Sequence, residues 1–313
     1  MHIDDFSLYL PVANISINFL ILILIGLFVG FFSGMFGIGG GIIAIPILMF
    51  LGVPADIAAS SVTNQTTATS LSSYLVYARR NRVDYKIASC LLIGSVLGIL
   101  IGLLIFNHLV KIGQIDLFIS AILLIVLSII GTISTKDLIK ILYYKYKRLH
   151  PPKPKDITIV RKLKFGLMTF PSAKQQISFL LPIITGIIGG LLVAIIGTGG
   201  SLVMIPIMLY VLGISPAYTP GTIHAQMIVT TILSTILHTY YGTSSLDIVL
   251  SSTIIIGAVF SARIGAHISA KFKSESLHII LTIIIFMLCV RVANNLFNEP
   301  DNIYNIEIIY DQR

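Results

Sequence analysis

Charge is what this sequence has least of. Only 11% of its 313 residues are Asp, Glu, Lys or Arg, 56% are hydrophobic, and the mean hydropathy is +0.96. A water-soluble domain carries about a quarter charged residues, so a soluble fold is excluded and a polytopic membrane protein is left. Cysteine is scarce too. Cys90 and Cys289 lie inside apolar runs, which argues against a disulfide framework or a thiolate metal site and for small packing residues. No G-x-x-x-x-G-K-[ST] stretch is present, so drive by ATP would need a separate partner. The glycine-rich stretches sit in membrane-length apolar runs without the strand-turn-helix context of a dinucleotide site, and no cofactor is called for. The first apolar run lacks a basic flank and precedes no polar mature domain, so it reads as a span rather than a removed leader.

What positive charge there is falls in one place. The net charge is +8, and eleven of the 21 lysines and arginines lie between Lys136 and Lys174, accompanied only by Asp137 and Asp156. This is the signature of a cytoplasmic loop and not of a nucleic-acid surface. The expected organisation is a first membrane repeat over 1–135, a basic cytoplasmic linker over 136–177, a second membrane repeat over 178–297 and an extracytoplasmic acidic tail over 298–313. Apolar segments fall near 16–36, 41–55, 57–78, 86–106 and 115–134, then near 178–196, 200–213, 219–241, 247–270 and 277–296. The second of each set is too short for an ordinary span of about 20 residues, and Pro54 and Pro216 close these short members. Arg79, Arg80, Arg82 and Lys86 mark a further cytoplasmic loop, which puts the N-terminus outside and the two halves in opposite orientations. The fold class expected is therefore an all-α polytopic membrane protein of two inverted-topology repeats, each of about five apolar segments including a Gly-broken short or re-entrant helix.

The breaks repeat. In "SGMFGIGGGIIAIPILMF" and "VAIIGTGGSLVMIPIMLY", Gly37, Gly39, Gly40 and Pro46 recur as Gly197, Gly199, Gly200 and Pro206, each displaced by 160 positions. Interrupted helices in membranes face a cavity, where the free amides that open the following half-helix favour an anion. The plainer reading, glycines as packing devices, explains single glycines better than a recurring set. The segments that follow are too polar to face lipid all round. "ASSVTNQTTATSLSSY" aligns with "TPGTIHAQMIVTTILSTILH" at an offset of 161, matching Gln65 with Gln226, Asn64 with Ala225 and Thr63 with His224. Candidate substrate-binding residues are thus Gly37, Gly39, Gly40, Thr63, Asn64 and Gln65 in the first half. In the second they are Gly197, Thr198, Gly199, Gly200, Ser201, His224 and Gln226.

One charge is out of place. Arg263, eight residues before Lys271, is costly within a bilayer and is read either as a structural residue satisfied by carbonyls or headgroups or as an anion ligand. Gly257, Ser261, Gly265 and Ser269 form a small-residue seam beside it, matched by Gly94, Gly98 and Gly102. Asp84 and Asp247 read as helix N-caps, with a proton-coupling role as the alternative; His238 and His278 read as interfacial.

At the glycine repeats the sequence resembles the TauE/SafE sulfite exporter family, also called the four-toluene-sulfonate uptake permease family. The resemblance spans nearly all the apolar segments and leaves out the basic loop and the acidic tail. It implies movement of sulfite, sulfonates or related small organic anions across a bacterial plasma membrane without ATP hydrolysis. Ile38 and Gly41 stand where the second copy has Thr198 and Ser201, so the two sides of the expected site differ. The expected partners are a small anionic substrate and the lipid bilayer, with no nucleic acid; coupling to H+ or Na+ and the oligomeric state stay open. Two other functions are weighed: a passive anion channel, and an intramembrane hydrolase with Ser201 as nucleophile and His224 or His238 as base. Against the hydrolase, Ser201 is matched by Gly41 and no acid is positioned to complete the set.

Overall fold

The structure, a computed structural model, describes residues 6–146, 167–170, 172, 176–197, 200–241, 246–269 and 274–297. The acidic tail, most of the basic linker, and the candidate residues Thr198 and Gly199 lie outside them. Among the described residues ten α-helices dominate, with two short hairpins. Helix α1 (Phe19–Phe36), α4 (Tyr85–Lys111), the Leu117–Lys136 part of α5 (Ile115–Tyr146) and α9 (Ile248–Ser269) are long and apolar enough to cross a bilayer. Shorter apolar helices are α2 (Gly41–Phe50), α6 (Leu180–Ile196) and the Thr282–Asn294 part of α10 (Ser274–Phe297). Helix α7 (Ser201–Pro206) runs on as a π-helical turn, Ile207–Val211.

The remaining two, α3 (Ala55–Arg79) and α8 (Thr219–Tyr240), are long enough to span but carry Ser, Thr and Gln where the others carry Ile and Leu. Such helices cannot face lipid on every side. They cross each other at the centre, where Thr67 Oγ1 donates to Thr231 Oγ1 at 2.7 Å, and the apolar helices surround them. The main packings join one half to the other: α1 to α9, α4 to α6, α5 to α10 and α3 to α8. The glycine seams make two of these close. A side chain at Gly26, Gly30 or Gly34 would run into the backbone of Ile254, Ala258 or Ala262, and one at Gly94 or Gly98 into that of Ile183 or Ile187. Without a hydrophobic drive between helices in lipid, this backbone approach supplies the association through van der Waals contact.

Two features depart from the expected segments. The N-terminal residues are not a bare approach to the first span but a hairpin, β1 (Ser7–Leu10) with β2 (Ile15–Asn18), whose Leu10, Ala13 and Ile17 are buried. Asn14, at φ 55°, forms its turn. Helix α5 continues to Tyr146, past the expected end near 134. Nothing between Gly131 and Pro151 breaks a helix, and Lys136, Asp137 and Lys140 suit a helix that has left the hydrocarbon.

The two aspartates cap as anticipated and do more. Asp84 accepts from the amides of Lys86 and Ile87 at the start of α4, and also from the amide and hydroxyl of Ser172, just before the β3–β4 hairpin (Leu167–Met168 with Ile177–Ser178) closes. Its own amide donates to Thr222 of α8. Asp247 repeats the arrangement at the other end of the molecule. It accepts from Leu250 in α9 and from Val12 and Ala13 in the β1–β2 turn, and its amide donates to Ser61 of α3. One clamp thus gathers 84, 172 and 222, and its counterpart gathers 247, 12 and 61.

Candidate functional site

Each glycine break sits against the crossing of α3 and α8. Helix α1 ends at Gly37, whose φ of 80° is the left-handed cap that closes it, and α2 begins after Gly40, at φ 77° and without a side-chain cap. No side chain therefore occupies the first amides of α2, and the positive end of its dipole is left toward the interior. The Gly39 carbonyl accepts from Thr66 Oγ1 at 2.8 Å, and Gly40 faces the Gln65 amide. Pro46 within α2 and Pro206 at the end of α7 withhold an amide from each short helix.

The second break is built alike. Gly197, φ 72°, closes α6, and its carbonyl accepts from Thr63 Oγ1 at 3.2 Å. Gly200 (φ 53°) opens α7, backed so closely by Gly189 of α6 that a side chain at Gly200 would overlap backbone.

Around these turns lie buried polar groups without a hydrogen-bond partner among the described residues. Gln65 is fully buried, and neither its amide oxygen nor its nitrogen makes a hydrogen bond; His224 is fully buried with both ring nitrogens unpaired. The His224 ring lies toward the Ser33 carbonyl without bonding to it and stacks on Tyr77 at 6.2 Å, and the Ser33 hydroxyl is itself unpaired. In the second half Gln226 spends its nitrogen on Ser95 Oγ at 2.6 Å and on Thr230, leaving its oxygen unpaired, and Ser201 Oγ is buried and unpaired. A buried polar group left unmatched costs about 1 to 3 kcal/mol. Several such groups lie along α3 and α8 and beside the two breaks.

The structure thus brings Gly37, Gly39, Gly40, Gln65 and His224 to the first break and Thr63, Gly197, Gly200 and Ser201 to the second, with Gln226 buried on α8. Asn64 is half-buried beside Gln65 without its complete enclosure. Arg263 is elsewhere. It is exposed on the outward face of α9 with Phe260 and Ile264, and the structure does not gather it with the breaks. Its carbonyl instead faces His267 Nδ1 at 2.9 Å. Ser201 lacks a hydrogen bond to either His224 or His238, so the pairing a hydrolase needs is not formed. Among the described residues no group of His, Cys, Asp and Glu could hold a metal ion.

His238, read from the sequence as interfacial, has a place at the second break that the reading did not give it. It is buried beside Phe106, with ring centroids 4.7 Å apart, and Nε2 lies 2.9 Å from the Ala194 carbonyl, three residues before the second break. The repeat itself was the available signal: at the 161 offset His238 falls on Tyr77, whose hydroxyl donates to the Gly34 carbonyl at 3.0 Å, three residues before the first break.

Comparison with known proteins agrees with this architecture. The family model described as "Sulfite exporter TauE/SafE" matches residues 22–292. "Probable membrane transporter protein YunE" of Bacillus subtilis (strain 168) is 23% identical over 291 residues, covering 90% of this chain and 100% of that protein. "Probable membrane transporter protein YjnA" of the same organism is 25% identical over 270 residues, 85% of this chain and 96% of that one. No solved structure matches. With the family model reaching from α1 to α10 across both glycine breaks, the chain belongs to the sulfite exporter TauE/SafE family and is a multi-pass membrane protein of transporter type.

Proposed function

We propose that this protein is a secondary transporter that exports a small sulfur oxyanion or sulfonate, and that the anion binds between the two glycine breaks at the crossing of α3 and α8. The observation that carries this reading is the set of buried, unpaired polar atoms on Gln65, His224, Ser33, Gln226 and Ser201 beside helix ends. An oxyanion accepts from free amides, carboxamide nitrogens and hydroxyls alike, and the start of α2 adds the positive end of a helix dipole. No arginine or lysine is needed for this, as in other broken-helix sites near the midplane of a bilayer. The paired Asp84 and Asp247 clamps and the cross-packing of the halves favour two inverted repeats, with α2 and α7 as half-helices that turn back. Under that arrangement the β1–β2 hairpin, Tyr241 and Asp247 face outside, and residues 80–84 and the β3–β4 hairpin face the cytoplasm.

Transport then requires the clamped ends to open in turn. The space at the second break is about 10 Å³, room for roughly one water, which suits alternating access better than a standing channel. The test is uptake of labelled sulfite, taurine and isethionate into proteoliposomes. Saturable flux that one unlabelled anion inhibits by competition is the expected result. Flux that rises linearly with concentration and does not show counterflow would replace the transporter with a channel.

A further inference from the structure

The small cavity at the second break holds a titratable group that the anion site does not use. Its walls are Ser60, Thr63, Phe106, Gly197, Thr235 and His238, with aliphatic neighbours, and among the described residues His238 is the one ionisable side chain of the lining. The ring is 8% exposed. The Ala194 carbonyl can only accept, so Nε2 carries the hydrogen in that 2.9 Å contact, and the neutral ring must present a lone pair at Nδ1. Among the described residues Nδ1 has no partner, and neither has the buried Thr235 hydroxyl of the same cavity wall. A basic nitrogen without a described partner therefore belongs to a residue that borders a space of about 10 Å³.

The matching position in the first half makes this informative. Tyr77 and His238 form the same latch, each reaching the carbonyl three residues before a broken glycine. A phenol ordinarily titrates near 10 and an imidazole near 6.5. Of two related latches, only the one beside the second break carries an imidazole, the side chain whose ordinary titration lies closest to physiological pH. Ala194 belongs to the last turn of α6, so a charge on the imidazole would act on the helix end that shapes the break. From the elements packed around His238, the other titratable groups at this end are Asp56 on α3, His108 and Lys111 on α4, Tyr240 on α8 and Asp247 before α9; α6 carries none. None borders the cavity, His108, Lys111 and Tyr240 are exposed, and Asp247 is occupied by its clamp.

We infer that His238 is the proton-binding residue of the transport cycle, taking up one proton at Nδ1 and moving it together with the anion. The bond formed is Nδ1–H; the ring becomes an imidazolium whose second N–H finds the Thr235 hydroxyl or a cavity water, while Nε2–H keeps the Ala194 carbonyl. The proton leaves from the same nitrogen when the latch opens to the other side. For a monovalent anion the pair is neutral, so export proceeds when the outward anion gradient exceeds the inward proton gradient. This inference rests on the transporter reading above.

Two measurements test it. In proteoliposomes containing a pH-sensitive dye, inward flux of isethionate or of sulfite, corrected for protein-free vesicles, should acidify the lumen. His238→Gln keeps an N–H for the Ala194 carbonyl but cannot titrate, and should lower the protons moved per anion at least about tenfold. Wild-type flux without acidification, or a glutamine variant with an unchanged ratio, would overturn the proposal. The second measurement is nitrogen NMR of histidine-labelled protein in bilayers, with His238→Gln assigning the signal. His238 should show the Nε2–H tautomer at pH 8 and both nitrogens protonated by pH 5. A ring that stays neutral throughout refutes proton binding. Absence of flux for both anions in wild type would instead defeat the transporter reading, and the NMR result would still decide the proton site.

Discussion

Replacing Asp84 with alanine should loosen the end of the molecule that carries the β3–β4 hairpin while leaving both breaks intact. The carboxylate is 2% exposed and accepts four hydrogen bonds: from Ser172 Oγ at 2.6 Å, the Ser172 amide at 3.0 Å, and the amides of Lys86 and Ile87 at 3.1 and 3.2 Å. Loss of an N-cap costs about 1 kcal/mol, and a hydrogen bond to a charged group contributes about 1.5 to 3 kcal/mol. Because the four share one acceptor, and the exposed helix start can recruit water for part of the loss, the net destabilisation is about 3 to 5 kcal/mol. At roughly 2 °C per kcal/mol for a chain of this length, the melting temperature should fall by about 6 to 10 °C. Asp84→Asn keeps one carbonyl oxygen as acceptor and should lose about half as much. Calorimetry in detergent reads the melting temperature, and hydrogen exchange at the Ser172 amide and the first turn of α4 reads the location. A variant that melts with the wild type, or whose Ser172 amide exchanges no faster, would refute the clamp. Asp247→Ala should reproduce the loss at the opposite end, through Val12 and Ala13.

Four other outcomes follow from the same geometry. Gly197→Ala should reduce folded protein severely, since an added Cβ would overlap the Ala59 carbonyl at a φ of 72°; Gly39→Ala, which meets chiefly the flexible Met227 methyl, should yield more folded protein with flux lost. Gln65→Leu should raise the apparent KM for the transported anion about tenfold with protein abundance preserved, because its amide serves no partner inside the fold. Arg263→Gln should leave KM unchanged, as expected of an exposed residue, and a raised KM would return it to the anion route. Cysteines placed at Tyr9 and Tyr241 in a Cys90→Ser, Cys289→Ser background should react with an impermeant reagent from outside, and one at Asn81 should not; labelling of all three from one side would sink the inverted arrangement.

Much of the architecture was legible because lipid leaves a chain few options. Apolar length and the 160-residue recurrence located the helices and both breaks, and acidic residues just ahead of apolar runs located the caps at Asp84 and Asp247. The clamps behind those caps were not legible, since Ser172 and Val12 are contacts across 88 and 235 positions with no local signature. The β1–β2 hairpin was hidden for a similar reason: its alternation is only four residues per strand and runs directly into α1. The place of Arg263 depends on helical phase. Gly257, Ser261 and Gly265 do face inward, against α1, while Arg263 lies off that stripe on the exposed side. His238 was passed over as an end residue, although its register with Tyr77 was written in the repeat.

The exchange of partners between the halves bears on how the chain is made. α1 emerges from the ribosome more than two hundred residues before α9, the helix that covers Gly26, Gly30 and Gly34. α4 must likewise wait for α6 across the whole basic linker. Until then each glycine face lies bare in lipid and the polar α3 has no α8 to cross, so the first half has no stable resting state of its own. Assembly is therefore a late, long-range event. The two halves, produced as separate polypeptides divided within the linker, should accumulate together and be degraded apart.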